Sequence, residues 1–327
     1  MVPITSSPAK SLDCITLGET MWRLSPPGQE RLEQTNTLDI HIGGAESNLA
    51  AALARLGKRV MWWSRLPENP VGRHVANALR AQQVDVSGVR WGTGRLGTYF
   101  VEFAPAPRAT QVIYDRANSA ASQMQPDDFD WTLLKHTRWL HLTGITPALS
   151  QSCLETMRRA IQEARAVGAS ISFDLNYREK LWAAAQAAPI LDELAAQCTL
   201  VIGAKRDVKT LFDISGEREV VLQKLHERWN KATVVMTAGS EGASAYAGDT
   251  VHHADVFVVP NPIRIGAGDA FDAGLLYALM EGQSLPDALI SGNALAALKL
   301  TIPGDIALIT RQEFETFLLS RPSDIAR

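Results

Sequence analysis

Short apolar segments with strand-like composition alternate with amphipathic helical segments along most of this 327-residue chain. The predicted strands cover residues 14–17, 60–64, 139–142, 170–174, 200–202 and 233–236, and the predicted helices cover 46–56, 71–81, 150–167, 208–212 and 220–229. Strands that alternate with helices are typical of a mostly parallel sheet with helices on both faces. The sequence therefore predicts an α/β fold whose ligands bind at the carboxyl ends of the strands.

Two regions interrupt this alternation, residues 22–42 and 93–117. They contain glycine, proline and alternating apolar residues, which predict antiparallel strands rather than helices. We expect them to form a small antiparallel β lid that can close over a pocket in the α/β body. No repeat or low-complexity linker is present, so we expect one domain over residues 12–320 with the two lid segments inserted.

Composition and charge exclude several classes of function. The formal net charge of −3 gives no field that would attract nucleic acid or an anionic membrane. There is no run of 18 apolar residues, and residues 1–11 lack the apolar core of a signal peptide. The cysteines, Cys14, Cys153 and Cys198, are widely separated and lack metal-ligand spacing. We expect a cytoplasmic enzyme that binds neither nucleic acid nor membranes.

A glycine-rich segment, Gly266-Ala267-Gly268-Asp269, precedes an apolar helical segment at 270–280. Backbone N–H groups at a helix N-terminus bind anions, and glycines bring those groups close to the ligand. A carboxylate would repel an anion bound there, so Asp269 suits a base that takes a proton from a hydroxyl attacking phosphorus. The alternative is that Asp269 only caps the helix.

A second glycine cluster, Gly43-Gly44, begins a helix of small residues that carries Asn48. The glycine pair would let a ligand approach the backbone closely. The alternative is a helix start that packs tightly against the sheet.

Together the two clusters resemble the two signatures of the ribokinase-like, or phosphofructokinase B-type, carbohydrate kinases, and they lie about 220 residues apart. The similarity runs from residue 12 to about residue 319. Segments 18–26, 114–122, 143–150, 174–182 and 296–305 resemble the 2-keto-3-deoxygluconate kinase branch. The resemblance implies a ribokinase-like fold and transfer of the γ-phosphoryl group of ATP, with Mg²⁺, to a hydroxyl of a sugar acid, with 2-keto-3-deoxygluconate as the expected substrate.

The resemblance also assigns roles to individual residues. Asp269 would be the base, beside an anion hole formed by Gly266, Ala267 and Gly268. Arginine pairs well with carboxylates, which suits a sugar acid, although a single arginine is commonly a surface residue. The expected sugar-binding residues are Gly43, Gly44, Asn48, Tyr99, Tyr114, Arg116 and Arg178. The expected nucleotide-binding residues are Thr237, Gly239, Gly242, Gly266, Gly268, Asn293 and Ala297; the alternative for Asn293 is a satisfied polar residue on a helix face.

Two positions depart from the family pattern. Ile263 stands where the family commonly has an aspartate that helps hold a monovalent cation. Ala204 and Asp207 stand where the family usually has an asparagine and a glutamate that organises magnesium. We expect Mg²⁺ to be held mainly by phosphates and water, with Asp207 as the candidate protein ligand.

Other functions are compatible with the same motifs. One is a kinase for a neutral ketose, of the fructokinase or tagatose kinase type, and another is a weakly active sugar- or nucleotide-binding protein on this fold. Exposed edge strands of the lid could pair with another subunit, so we expect a homodimer or higher homo-oligomer.

Ile263 leads to the first prediction. Activity should change little when potassium is exchanged for sodium or a bulky organic cation at fixed ionic strength, because an isoleucine cannot ligate a cation. Removal of magnesium should still stop the reaction, since the charge of the triphosphate needs a counter-ion. Strong activation by potassium would contradict this prediction.

Overall fold

The structure is a computed structural model that describes residues 11–105, 107–260 and 262–320. Its strands are β1 Leu12–Leu17, β2 Met21–Ser25, β3 Asp39–Gly43, β4 Val60–Pro67, β5 Val89–Gly92, β6 Thr98–Glu102, β7 Gln111–Asp115, β8 Thr137–Thr143, β9 Ser170–Asp174, β10 Leu200–Ala204, β11 Thr233–Thr237, β12 Ala243–Ala247 and β13 Thr250–Ala254. Its α-helices are α1 Ala45–Arg55, α2 Pro70–Arg80, α3 Gln151–Ala166, α4 Ala184–Ala195, α5 Lys205–Phe212, α6 Arg218–Arg228, α7 Ala267–Met280, α8 Leu285–Leu300 and α9 Arg311–Ser320.

The larger sheet has nine strands in the order β13-β12-β11-β10-β9-β8-β1-β4-β5. From β11 to β5 every neighbouring pair is parallel, and only the β11–β12 and β12–β13 pairs are antiparallel. The central strands are almost entirely buried, as expected for a parallel sheet covered by helices on both faces. This confirms the predicted α/β class, and it places the carboxyl ends of the parallel strands along one edge.

Helix α7 lies in the interior, and almost all of its residues from Ala270 onward are buried. It packs closely on α8 because glycines leave room at the crossing. A Cβ on Gly274 would overlap the Ser291 carbonyl oxygen, and one on Gly292 would come within 2.7 Å of the Phe271 ring. Helix α7 also packs against α1, and a hydrogen bond between Asn48 and Asp269 joins the first turns of the two helices.

The smaller sheet has four strands in the order β3-β2-β6-β7. Its two outer pairings are antiparallel, as expected, whereas the central strands β2 and β6 are parallel. Met21, Arg23, Tyr99 and Val101 are buried on its inner face. We call this sheet the lid sheet.

All six predicted strands and five predicted helices are present, with shifts of a few residues at their ends. The sequence patterns did not indicate α4, which contains Pro189, or the β12–β13 hairpin, whose strands are rich in alanine. Among the described residues, no helix is both long and apolar enough to span a bilayer. The expectation for the N-terminal tail concerns residues that, apart from Ser11, lie outside the described part.

Candidate active site

A cavity of 410 Å³ opens where β1, β8, β9, β10 and β11 end, with the inner face of the lid sheet as its opposite wall. Parallel strands end at the same edge, so residues that are distant in sequence meet here. The cavity is lined by Glu19, Met21, Gly43, Gly44, Ala45, Glu46, Asn48, Tyr99, Val101, Val112, Tyr114, Arg116, Ile145, Asp174, Asn176, Arg178, Ile202, Ala204, Arg206, Asp207, Thr237, Arg264, Ile265, Gly266, Gly268, Asp269, Asp272 and Asp305.

The N-terminus of α7 points into this cavity. Gly266 precedes the helix with a φ of 77°, and a Cβ there would overlap the Asp305 carbonyl oxygen, so the position requires glycine. Beside Gly268 the space is open for 4 Å around the place of a Cβ. The first N–H groups of a helix have no partner within the helix, so this end of α7 has the geometry that suits an anion. Ala267 lies in the same turn but does not line the cavity, and its N–H donates to the Arg264 carbonyl at 3.3 Å.

Asp269 is held by Asn48, whose side-chain amide donates to the carboxylate at 2.7 Å. This bond joins the two glycine clusters that the sequence analysis singled out. Burial raises the pKa of Asp269 to about 6, against the opposing effects of the Asn48 bond and the Arg178 charge. A carboxylate with that pKa is ionised at neutral pH and can take up a proton, as a general base must.

The two arginines expected to bind a carboxylate differ in availability. Arg116 is buried and pairs with Glu19 through both Nε, at 2.9 Å, and Nη2. The guanidinium of Arg178 makes no hydrogen bond or ion pair with another described residue and lines the cavity. Arg178 is therefore free to bind an anionic ligand, whereas the charge of Arg116 is already balanced.

The two tyrosines, Tyr99 and Tyr114, also differ in how available they are to a ligand. The Tyr99 hydroxyl donates to the Asp305 carboxylate, and its ring stacks on Tyr114 with centroids 5.7 Å apart. Tyr114 is 39% exposed and can meet a ligand from the lid sheet.

The Gly43-Gly44 pair brings protein groups close to the backbone. A Cβ on Gly43 would overlap the Tyr99 hydroxyl, and one on Gly44 would overlap the Glu19 carbonyl oxygen. These contacts support the packing alternative for the pair, although both glycines also line the cavity.

Three further carboxyl groups, those of Asp174, Asp207 and Asp272, line the same cavity. Burial raises the pKa of all three, to about 7 for Asp174, and neighbouring carboxylates raise the pKa of Asp174 and Asp272 further. Within the described residues, no group of three or more His, Cys, Asp or Glu side chains could hold a metal ion. The carboxylates that line the cavity suit Mg²⁺, which proteins commonly bind through one or two carboxylates together with phosphates and water.

A second cavity of 990 Å³ lies next to the first and shares Ala204, Arg206 and Thr237 with it. Of the expected nucleotide-binding residues, Thr237 lines both cavities and Gly239 lines the second.

Gly266 and Gly268 line the first cavity, whereas Gly242, Asn293 and Ala297 line neither. Gly242 packs on the Ala254 carbonyl. The Asn293 amide donates to the Ala254 and Asp255 carbonyls, both at 3.0 Å, and Ala297 is buried in α8. The contacts of Asn293 agree with the alternative of a satisfied helix residue.

Sequence reasoning assigned no role to several cavity residues. Glu46 is buried, accepts hydrogen bonds from Thr143 and Thr146 at 2.8 Å, and has a pKa raised by burial to about 7. Glu19, Asp174, Asp272 and Asp305 were overlooked as well. Each of these residues lies within or next to a sequence segment that was already of interest. Its position after the end of a strand, or within a glycine cluster, is the signal that could have identified it.

Comparison with known proteins places this geometry in a family. The family model of pfkB family carbohydrate kinases matches residues 11–311. A 2-dehydro-3-deoxygalactonokinase of Haloferax volcanii is 39% identical over 96% of this chain and 99% of its own length. A 2-dehydro-3-deoxygluconokinase of Bacillus subtilis is 30% identical over 94% of this chain and 95% of its own.

Solved structures agree with these matches. The crystal structure of 2-dehydro-3-deoxygluconokinase from Thermotoga maritima superimposes with a TM-score of 0.87 at 31% identity, and covers 94% of this chain and all of that one. The resemblance on which the expected fold, activity and cofactors rested is thus confirmed: the chain belongs to the pfkB family of carbohydrate kinases, which use ATP with Mg²⁺.

Proposed function

We propose that this protein transfers the γ-phosphoryl group of ATP to a hydroxyl of a 2-keto-3-deoxy sugar acid, in the gluconate or the galactonate configuration. The observation that carries the proposal is the unpaired Arg178 guanidinium in the same cavity as Asp269 and the open N-terminus of α7. A sugar acid needs a cation for its carboxylate, whereas a neutral ketose does not. The names of the relatives from Haloferax volcanii and Bacillus subtilis support both configurations.

The two cavities suggest how the substrates are arranged. The nucleotide occupies the second cavity, and its phosphates reach the first across the shared residues Ala204, Arg206 and Thr237. Asp269 takes the proton of the attacking hydroxyl as the new O–P bond forms and the bond to ADP breaks. The N–H groups at the start of α7 stabilise the charge on the transferred group. Bound Mg²⁺ offsets the charge of the phosphates.

An ADP-release assay tests the proposed function. The panel contains 2-keto-3-deoxygluconate, 2-keto-3-deoxygalactonate, fructose, tagatose and a sample without sugar. We expect kcat/KM for at least one sugar acid to exceed that for either ketose by about 100-fold or more, which is the value of one good charge-assisted contact. A preference for a ketose would support the ketose kinase alternative, and ADP release with none of the sugars would contradict kinase activity on this panel.

The outer face of the lid sheet suggests how the chain associates with itself. Ile40, Leu24, Phe100 and Ile113 lie in register across all four strands on this face. Ile40 and Ile113 are 49% and 51% exposed. A row of exposed apolar residues on a small sheet favours burial against another surface, so we infer a homodimer formed through the lid sheets. Light scattering should give a dimer mass that falls in Ile113→Asp, and a monomeric wild-type protein would contradict this inference.

The remaining expectations concern location and domain limits. All three cysteines are buried and free, which favours the reducing cytoplasm. Cell fractionation that recovers the protein outside the cytoplasm would refute that location.

The domain limits of 12–320, with lid insertions at about 22–42 and 93–117, stay a prediction that limited proteolysis tests.

Arg178 generates the next prediction. Arg178→Ala should weaken a sugar acid by about 2–4 kcal/mol, or roughly 30- to 700-fold in KM, while the KM for ATP changes little. Arg178→Lys keeps the charge and should lose less. In contrast, Arg116→Ala leaves Glu19 buried without its partner and should lower the unfolding temperature. Steady-state kinetics and thermal unfolding distinguish the effects of the two substitutions. Equal losses of sugar-acid binding in Arg178→Ala and Arg116→Ala would contradict the different roles assigned to the two arginines.

Asp269 generates a prediction about pH. The kcat of the wild-type protein should fall as pH drops below about 6, because protonated Asp269 cannot accept the hydroxyl proton. The groups that face Asp269 act on its pKa in both directions: Asn48, Arg178 and Lys299 lower it, and burial and Asp305 raise it. Asn48→Ala removes a donor to the carboxylate and should raise the pKa of Asp269. The acidic limb of the kcat–pH profile of this variant should therefore lie at higher pH.

Ser47→Ala is the matched control for this pH prediction. Ser47 is the buried neighbour of Asn48 on α1, and its hydroxyl donates to the Gly44 carbonyl at 3.0 Å rather than to Asp269. The acidic limb of the kcat–pH profile of Ser47→Ala should coincide with that of the wild-type protein. An acidic limb that stays in place in Asn48→Ala would show that the Asn48 bond does not govern the titration.

A further inference from the structure

The carboxyl group of Asp305 is the point where the lid sheet meets the α/β body. Arg23 of β2 approaches one carboxylate oxygen at 3.1 Å, and the Tyr99 hydroxyl of β6 donates to the other. Arg23 and Asp305 are almost completely buried. The two central strands of the lid sheet are therefore attached to one side chain of the body.

The backbone of Asp305 contacts the anion site. Its carbonyl oxygen occupies the space that a Cβ on Gly266 would need, directly before the first turn of α7. One residue thus contacts the lid sheet through its side chain and the start of α7 through its main chain.

A buried cation contacts the turn that carries Asp305. Lys299 is fully buried at the end of α8, and its ammonium group donates to the Ile302 carbonyl at 3.0 Å. The Ile263 N–H donates to the Leu300 carbonyl at 2.8 Å, which ties the segment before Gly266 to the same helix end. The charges of Arg23 and Lys299 favour the ionised form of Asp305, and that of Lys299 also favours ionised Asp269.

A buried ion pair such as Arg23–Asp305 adds little net stability, because desolvation of the two charges offsets their attraction. What the pair does provide is a fixed geometry between two parts of the molecule. In this structure those parts are the lid sheet over the sugar cavity and the turn behind Gly266.

We propose that Asp305 is a positioning residue for phosphoryl transfer, which couples the placement of the lid sheet to the geometry of the anion site at the start of α7. The proposal rests on the proposed function. When Arg23 and Tyr99 hold the carboxylate, the Asp305 carbonyl supports Gly266 in the conformation that directs the first N–H groups of α7 at the transferred group. When they do not, the start of α7 loses this support, and transfer slows although both substrates still bind.

The test compares Asp305→Asn, Arg23→Met and the double variant in the sugar-acid assay. Asp305→Asn keeps the size of the side chain and an acceptor for Tyr99 but removes the charge that holds Arg23. We expect kcat to fall about 10- to 100-fold in each single variant, as small misplacements of reacting groups do, with the KM for ATP within about twofold of wild type. The double variant should lose no more than the worse single variant, because both remove the same contact.

Two further variants keep the test decisive. Asp128→Asn is the matched control, since it breaks the partly buried Arg65–Asp128 pair, 3.3 Å apart, outside both cavities. It should lower the unfolding temperature and leave kcat unchanged. Tyr99→Phe removes only the hydroxyl bond to Asp305 and should lower kcat in the same direction, so it serves if Asp305→Asn does not fold.

The outcomes separate the two levels of the argument. A wild-type protein without sugar-dependent ADP release would refute the proposed function itself. A wild-type protein that turns over normally, together with an unchanged kcat in Asp305→Asn, would refute the positioning role alone. Additive losses in the double variant, or a loss confined to KM or to the unfolding temperature, would refute it as well.

Discussion

The hydrogen bond between the Asn48 amide and the Asp269 carboxylate is the contact on which the rest of the site depends. It joins the N-terminal turns of α1 and α7, which the sequence separates by more than two hundred residues and the packing of the two helices brings together. Burial alone would favour the protonated acid. The donated bond offsets part of that effect, so the carboxylate can serve as the proposed base beside the N-terminus of α7.

The charges around the cavity explain why a divalent cation belongs to the reaction. Seven acidic side chains line it against four arginines, and two of those arginines are already paired, with Glu19 and with Asp207. Such a wall repels a triphosphate unless a cation accompanies it. The raised pKa values of Asp174 and Asp272 reflect burial together with the same crowding of carboxyl groups. Mg²⁺ brought by the nucleotide would offset both the carboxylate charges and the phosphate charge.

The sequence predicted much of this site because its strongest signals are local. The glycines of both clusters, Asn48 and Asp269 stand within short segments whose patterns indicate helix starts. The sequence could not predict which charged side chains lack an ionic partner. Arg116 pairs with Glu19, which lies 97 residues away in the sequence, and Arg23 on the lid sheet pairs with Asp305 of the α/β body. The parallel pairing of β2 with β6 is a tertiary feature of the same kind. Local patterns do not encode such contacts, so the partners of Arg116 and Tyr99 emerged only from the fold.

The most direct test of the central claim is turnover by Asp269→Asn, measured beside its affinity for ATP by calorimetry. The amide keeps the size of the side chain but cannot take up the proton of the attacking hydroxyl. If Asp269 is the base, kcat falls by about 10²–10⁴-fold or more, while ATP binding and the unfolding temperature stay close to those of the wild-type protein. A variant that keeps a near wild-type kcat would contradict the account, because another group would then be taking the proton.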